Sequence, residues 1–224
     1  METASTESIK RVCTGLSMIL APLLLGVGFA IHPPQSTSGA EQLRVVVATS
    51  GRWDLAHVLI LVSLVLFIPA VLGVMGFLQK RGAWFGLIGG AFVAIGVVFF
   101  AAWVGAEGFV SSALASLSAN QQTALAPAMQ AILDTRGALA FVDFTSLLLI
   151  AGLLVLAIGL FAARMVARWM SVAIAAGVLL LISGAALGVL ISLVGGCALL
   201  VVGMGCMGVQ VLRRPYGMQE AIPA

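Results

Sequence analysis

Five side chains in this sequence could do chemistry, and all of them fall near the ends of apolar runs. His32 closes the run that ends "GFAIHPP", and His57 lies in "GRWDLAHVLILVSLVLF", which begins at Gly51. The chain has no other histidine. Glu107 and Asp143 stand in two further apolar runs, and Asp54 precedes His57 by three residues. An ionisable residue inside an apolar span is costly unless it is partnered or hydrated, so each is a candidate site residue. Two histidines with one or two carboxylates make an adequate ligand set for zinc or non-haem iron, here His32, His57 and Glu107. Two histidines on facing helices could instead ligate one haem axially. A third reading is a proton, ion or small-solute site, because histidine titrates near neutral pH. The fourth is that these residues only mark helix ends, where polar groups meet headgroups and water. No HxxxH or similar local spacing decides between them. Asp54 has its own rationale: an acid in a first helical turn suits the positive end of the helix dipole. Its spacing from His57 puts both on one face, where Asp54 could orient the imidazole.

The elements that must position these groups follow from composition. The chain has 224 residues, 62% hydrophobic and 8% charged, with a mean hydropathy of +1.18. Soluble domains average about 25% charged residues, so there is too little polar surface to coat a water-soluble globule. The class is an all-α integral membrane protein, a polytopic helical bundle. The formal net charge of +3 does not suggest nucleic acid, because the basic residues come in pairs between apolar runs.

A bilayer core of about 30 Å takes about 20 residues at 1.5 Å rise. Spans are expected at about 12–31, 53–78, 83–106 and 138–163. From Trp169 to Leu212 the sequence runs 44 residues without a charge. As one helix that would be about 66 Å, twice a membrane's thickness, so it must fold back. The expected turn lies between Gly188 and Gly196, around Ser192, giving spans at about 169–188 and 193–212. The first run is longer than a signal-peptide core of roughly 7–15 residues and reads as a helix that stays in the membrane. With six spans, Lys10, Arg11, Lys80, Arg81, Arg164, Arg168, Arg213 and Arg214 fall on one side. Arg44, Arg52 and Arg136 fall on the other. The positive-inside rule then places both termini in the cytoplasm and His32, His57, Glu107 and Asp143 at the outer level.

Two outer loops are expected, over 33–52 and 109–136. The first begins "PPQSTSG", a helix stop followed by flexible residues. The second is rich in Ala, Ser and Gln with apolar residues at helical spacing, and reads as a partly helical segment over the outer mouth. The inner links "QKRGAW" and "RMVARW" are short, so they make tight hairpins. In both, basic residues precede a tryptophan, Trp84 or Trp169, that belongs at the interface. An offset of 85 aligns these two and puts Asp143 one place from His57. Duplication and the common demands of membrane hairpins explain this equally well.

Gly82, Gly86 and Gly90, and then Gly184 and Gly188, repeat at four-residue spacing and read as helix-packing positions, either within the bundle or on an oligomer face. Pro22 and Pro69, inside the first two spans, should kink them. Cys13, Cys197 and Cys206 lie in apolar runs without CxxC spacing and read as packing residues. There is no P-loop, GxSxG elbow or HExxH, so soluble-type catalysis has no visible basis.

The segments "GFAIHPP", "RWDLAHVLILVSLVLFIPAVLG" and "GAEGFV" together resemble a loose group of bacterial membrane proteins known only as a domain of unknown function with about six helices. The resemblance covers most of the chain and implies a bacterial inner-membrane location, without implying an activity. The expectation is a six-span, N-in/C-in bundle, non-enzymatic, with a polar small-solute, ion or proton site at its extracytoplasmic mouth. The alternatives are a zinc-, iron- or haem-dependent redox or hydrolytic enzyme using His32 and His57, and an accessory subunit of a homo-oligomer or larger membrane complex.

Overall fold

A computed structural model describes residues 2–79, 82–134 and 136–213, with the side chains of 2–5, 132 and 136–143 outside that description. Lys80, Arg81, Arg214 and the side chains of Arg136 and Asp143 therefore lie outside the described residues. The described residues form helices and short turns in the order α1 (Glu2–Ile31), α2 (Gly39–Ala48), α3 (Ser50–Leu78), α4 (Ala83–Ala115), α5 (Ala119–Asp134), α6 (Arg136–Ala163), α7 (Arg168–Leu187) and α8 (Leu190–Arg213). Six of these contain segments long and apolar enough to cross a membrane: Thr6–Ile31, Ser50–Leu78, Ala83–Ala115, Phe144–Ala163, Arg168–Leu187 and Leu190–Arg213. The protein is a multi-pass membrane helical bundle, because only a helix satisfies its own backbone hydrogen bonds across lipid.

The six long helices close a ring in the order α1, α3, α4, α6, α7, α8 and back to α1, with α3 also touching α6 across it. Neighbours run antiparallel. Gly28 near the end of α1 lies against Ala56 and Ile60 of α3, while Gly73 of α3 lies against Thr14 and Met18 near the start of α1. Met18, Leu64, Phe67, Leu156, Leu160, Leu200, Met204 and Met207 fill the centre. Leu20, Leu23, Val62, Val65, Leu72, Ile95, Val98 and Leu179 face outward. Helices apolar on both faces suit a bilayer, where small residues and van der Waals packing hold the helices together. The buried hydroxyls are scattered, and Ser63 satisfies itself on the Ala21 carbonyl at 2.7 Å.

Three boundaries refine or differ from expectation. The α7–α8 turn is at Gly188 and Val189, the near end of the expected interval and earlier than its centre at Ser192. Gly188 takes φ +64°, a left-handed conformation that glycine adopts without a Cβ penalty and that often ends helices. It is thus a turn residue and not a packing residue. The stretch 33–52 is not simply a loop: α2 fills most of it, and α3 begins at Ser50. Helix α4 continues nine residues past Ala106 to Ala115. At 33 residues it is about 50 Å long, more than a bilayer core requires.

The other expected packing glycines face inward or serve a turn. Gly86 meets Leu78 and Gly90 meets Met75, both of α3, and Gly184 meets Leu193 of α8. Gly82 caps α4 with φ +98°. None of them forms an outward oligomer face. Pro22 and Pro69 sit inside continuous helices.

At the end of the bundle where α1 stops and α3 starts, α2 packs on α5 and also touches α4 and α3. Gly39 allows the approach, since its N–H donates to Gln130 Oε1 at 2.7 Å. Gln130 Nε2 in turn donates to the Thr37 carbonyl at 3.2 Å. Buried Gln42 accepts from the Ser36 N–H at 2.7 Å. The helical spacing in 109–136 corresponds to α5, which packs on α2 and touches α4 and α6.

Candidate functional site

Pro33 and Pro34 stop α1, because proline has no N–H and disfavours helical geometry in the residue before it. His32 is therefore the first residue outside α1, and its ring packs toward α3. Trp53 and His57 are four residues apart in α3 and share a face. The three rings form one cluster. Their centroids are 5.0 Å apart for His32 and Trp53, 5.0 Å for His32 and His57, and 4.5 Å for Trp53 and His57. Trp53 is fully buried and His57 nearly so.

Both imidazoles are tied at the same atom. His32 Nδ1 lies 2.6 Å from the Pro33 carbonyl oxygen, and His57 Nδ1 lies 2.9 Å from that of Trp53. A carbonyl only accepts, so each Nδ1 carries a proton, and in its neutral form each ring has Nε2 as its acceptor. The buried Trp53 Nε1–H has no hydrogen-bond partner among the described residues. The cluster thus combines one buried donor without a partner and, in the neutral rings, two imidazole acceptors with no hydrogen bond among the described residues. Burial pushes the His32 pKa below its ordinary value of 6.5; nearby His57 and Arg52 push the same way, against the Pro33 carbonyl.

The other candidates are placed around this cluster. Half-buried Glu107 accepts from Gln35 Nε2 at 2.9 Å and from the Trp103 side chain one turn earlier in α4. Gln35 follows His32 by three residues, so this contact ties the α1–α2 link to α4. The Trp53 carbonyl holds the His57 ring at Nδ1, and no hydrogen bond joins Asp54 to that ring among the described residues. The Asp54 carboxylate instead accepts the Ser112 hydroxyl of α4. Gly108 of α4 packs on the His57 ring, where an added Cβ would sit 2.8 Å from Cδ2. Asp143 lies outside the described side chains.

Beside His57 a pocket of about 310 Å³ opens between α3 and α4, with Asp54, His57 and Ser112 on its polar side and Leu61, Val104 and Phe109 on its apolar side. Sequence reasoning missed Trp53, Gln35 and Ser112. Trp53 was detectable, because "RWDLAH" places it four residues before His57. Gln35 and Ser112 carry no local signal, since each is chosen by a partner at least 58 residues away.

The metal readings meet this geometry poorly. Among the described residues no three His, Cys, Asp or Glu side chains form a group that could hold a metal. Two axial imidazoles on one haem need ring centres roughly 6 Å apart with the porphyrin between them, given metal–nitrogen bonds of about 2 Å. Here the rings pack on each other at 5.0 Å, tilted by 50°, with Trp53 against both. No protein-family model matches the chain, and no curated protein or solved structure matches it either.

Proposed function

We propose that this is a non-enzymatic multi-pass protein of the bacterial inner membrane, N-in and C-in, that binds a small solute or ion, protons included, at its extracytoplasmic end. The observation that carries this reading is the His32–Trp53–His57 cluster. Two imidazoles and an indole whose buried N–H has no partner among the described residues pack in one cluster, and these donors and acceptors suit a small polar solute that carries both. The positive-inside distribution of Lys and Arg supports placing that end outside. Below the cluster the buried polar groups are scattered hydroxyls, which favours binding at one end over conduction through a fixed polar path.

Tryptophan emission against pH tests the reading, because an imidazolium quenches a stacked indole. Emission should fall as the pH drops below 6.5, the ordinary value from which His32 is lowered. The step should vanish in Trp53→Phe and be altered in His32→Ala. A flat profile, or a step that survives in Trp53→Phe, would overturn the titrating site.

A further inference from the structure

The pocket between α3 and α4 is a different place from the ring cluster, although His57 borders both. We propose that it is a lipid site, taking one chain of a bilayer lipid whose primary-ammonium headgroup sits at Asp54.

Three features carry this. The first is the sequence of the walls along the helices. Asp54 and Ser112 stand at the α2–α5 end, and Leu61 and Val104 stand at the far end. From Asp54 to Leu61 is seven residues of helix, about 10 Å toward the bilayer centre. A head-then-tail ligand oriented as lipids are oriented fits that gradient. The second is access. Phe109 is 69% exposed and Val58 is 49% exposed on the pocket's edge, so the opening faces sideways into lipid. Its volume of about 310 Å³ holds about ten water-sized groups, enough for a segment of one chain. The third is charge. Asp54 has the Ser112 hydroxyl as its partner, whereas the ion pairs among the described residues are Lys10–Glu7 and Arg44–Glu41. An exposed carboxylate at the headgroup level without a protein cation among the described residues is open to a lipid cation. An ammonium that also donates hydrogen bonds complements it, which a quaternary ammonium cannot do.

Gly105 keeps the space open. A Cβ there would sit 3.9 Å from Leu61 and from Phe109, in ordinary contact, so a larger side chain at 105 would project into the pocket without breaking the fold. The inference needs only the membrane setting. His32 does not line the pocket, so the titrating site and the lipid site fail separately.

The test is native mass spectrometry of the full-length, delipidated protein in detergent. Phosphatidylethanolamine, phosphatidylcholine and phosphatidylglycerol are added in equal amounts. One phosphatidylethanolamine per chain should be retained about fivefold over the other two, as expected of a single partly hydrated ion pair. Asp54→Asn should erase the preference, Gly105→Leu should remove the bound lipid of every kind, and His32→Ala should change neither. If Gly105→Leu does not purify, Val58→Trp at the exposed edge blocks the same space. Equal retention of the three lipids, an unchanged preference in Asp54→Asn, or full retention in the blocking variant would each overturn the proposal.

Discussion

Helix α4 meets its two neighbours through glycines, yet the two seams are built differently. Against α6 the contact is backbone on backbone. A Cβ on Gly152 would lie 2.7 Å from the Gly89 carbonyl oxygen and from the Val93 nitrogen, and one on Gly96 would lie 2.5 Å from the Leu149 nitrogen. Against α3 the glycines receive side chains. Gly90 faces the Met75 thioether, Gly108 faces the His57 ring, and Gly105 faces the open pocket. Glycine at regular spacing permits close approach but does not say what will approach. The α6 seam is closed at Gly96 and Gly152 by backbone, whereas the α3 seam is filled where a side chain reaches it and open where none does.

The largest effect should come from breaking the tight seam. Gly152→Leu must push two backbones apart and should cost about 3 kcal/mol or more, or prevent folding altogether. Gly105→Leu should stay within about 0.5 kcal/mol of wild type, as substitutions away from packed features do. Thermal unfolding in detergent, with size-exclusion profiles, compares the two; equal losses would erase the distinction between the seams.

Within the α3 seam the filler decides the outcome. Gly108→Ala places a Cβ against a ring that is held on its other side by Trp53, so it should cost about 1–3 kcal/mol and shift Trp53 emission. Gly90→Ala meets a flexible thioether that can move aside, and should cost about 1 kcal/mol or less. If Gly90→Ala proves the worse of the pair, rigidity of the ring cluster is not what matters there.

The α2–α5 end should also respond to pH. The folded state lowers the His32 pKa below 6.5 by burial, so the unfolded chain takes up the proton first. The stability His32 contributes is therefore complete above 6.5 and is lost as the pH falls through the lowered folded value. Melting temperature should decline as the pH falls from 6.5 toward that lowered value and level off below it, and His32→Gln should flatten the decline. A rise on acidification would mean that a favourable partner, and not burial, governs the ring. Gln35→Ala removes one exposed hydrogen bond to Glu107 and should cost about 0.5–1 kcal/mol in the same unfolding assay. Elemental analysis of the purified protein should find zinc and iron well below one per chain, with the same result for His57→Ala. A stoichiometric metal lost in that variant would mean that a group beyond the described side chains, such as Asp143, completes a ligand set.

The sequence by itself determined that there are six spans, and roughly where each lies. Apolar length answers to bilayer thickness, and no partner is needed to read it. It also determined that His32, His57 and Glu107 fall near one end, because polar residues are tolerated where spans meet water. It bracketed the α7–α8 turn between Gly188 and Gly196 but centred it at Ser192, because a turn made by one left-handed glycine leaves no polar trace in an apolar run. Only the tertiary structure decided which side chains meet. It joined His32 to Trp53 and His57, gave Asp54 to Ser112 and Glu107 to Gln35, laid α2 on α5, and left the pocket beside Gly105. The physical reason is that helices apolar on every face carry no stripe that points to a neighbour. In lipid the neighbour is chosen by shape and by the few polar groups that must find one another, and those choices are made across the bundle and not along the chain.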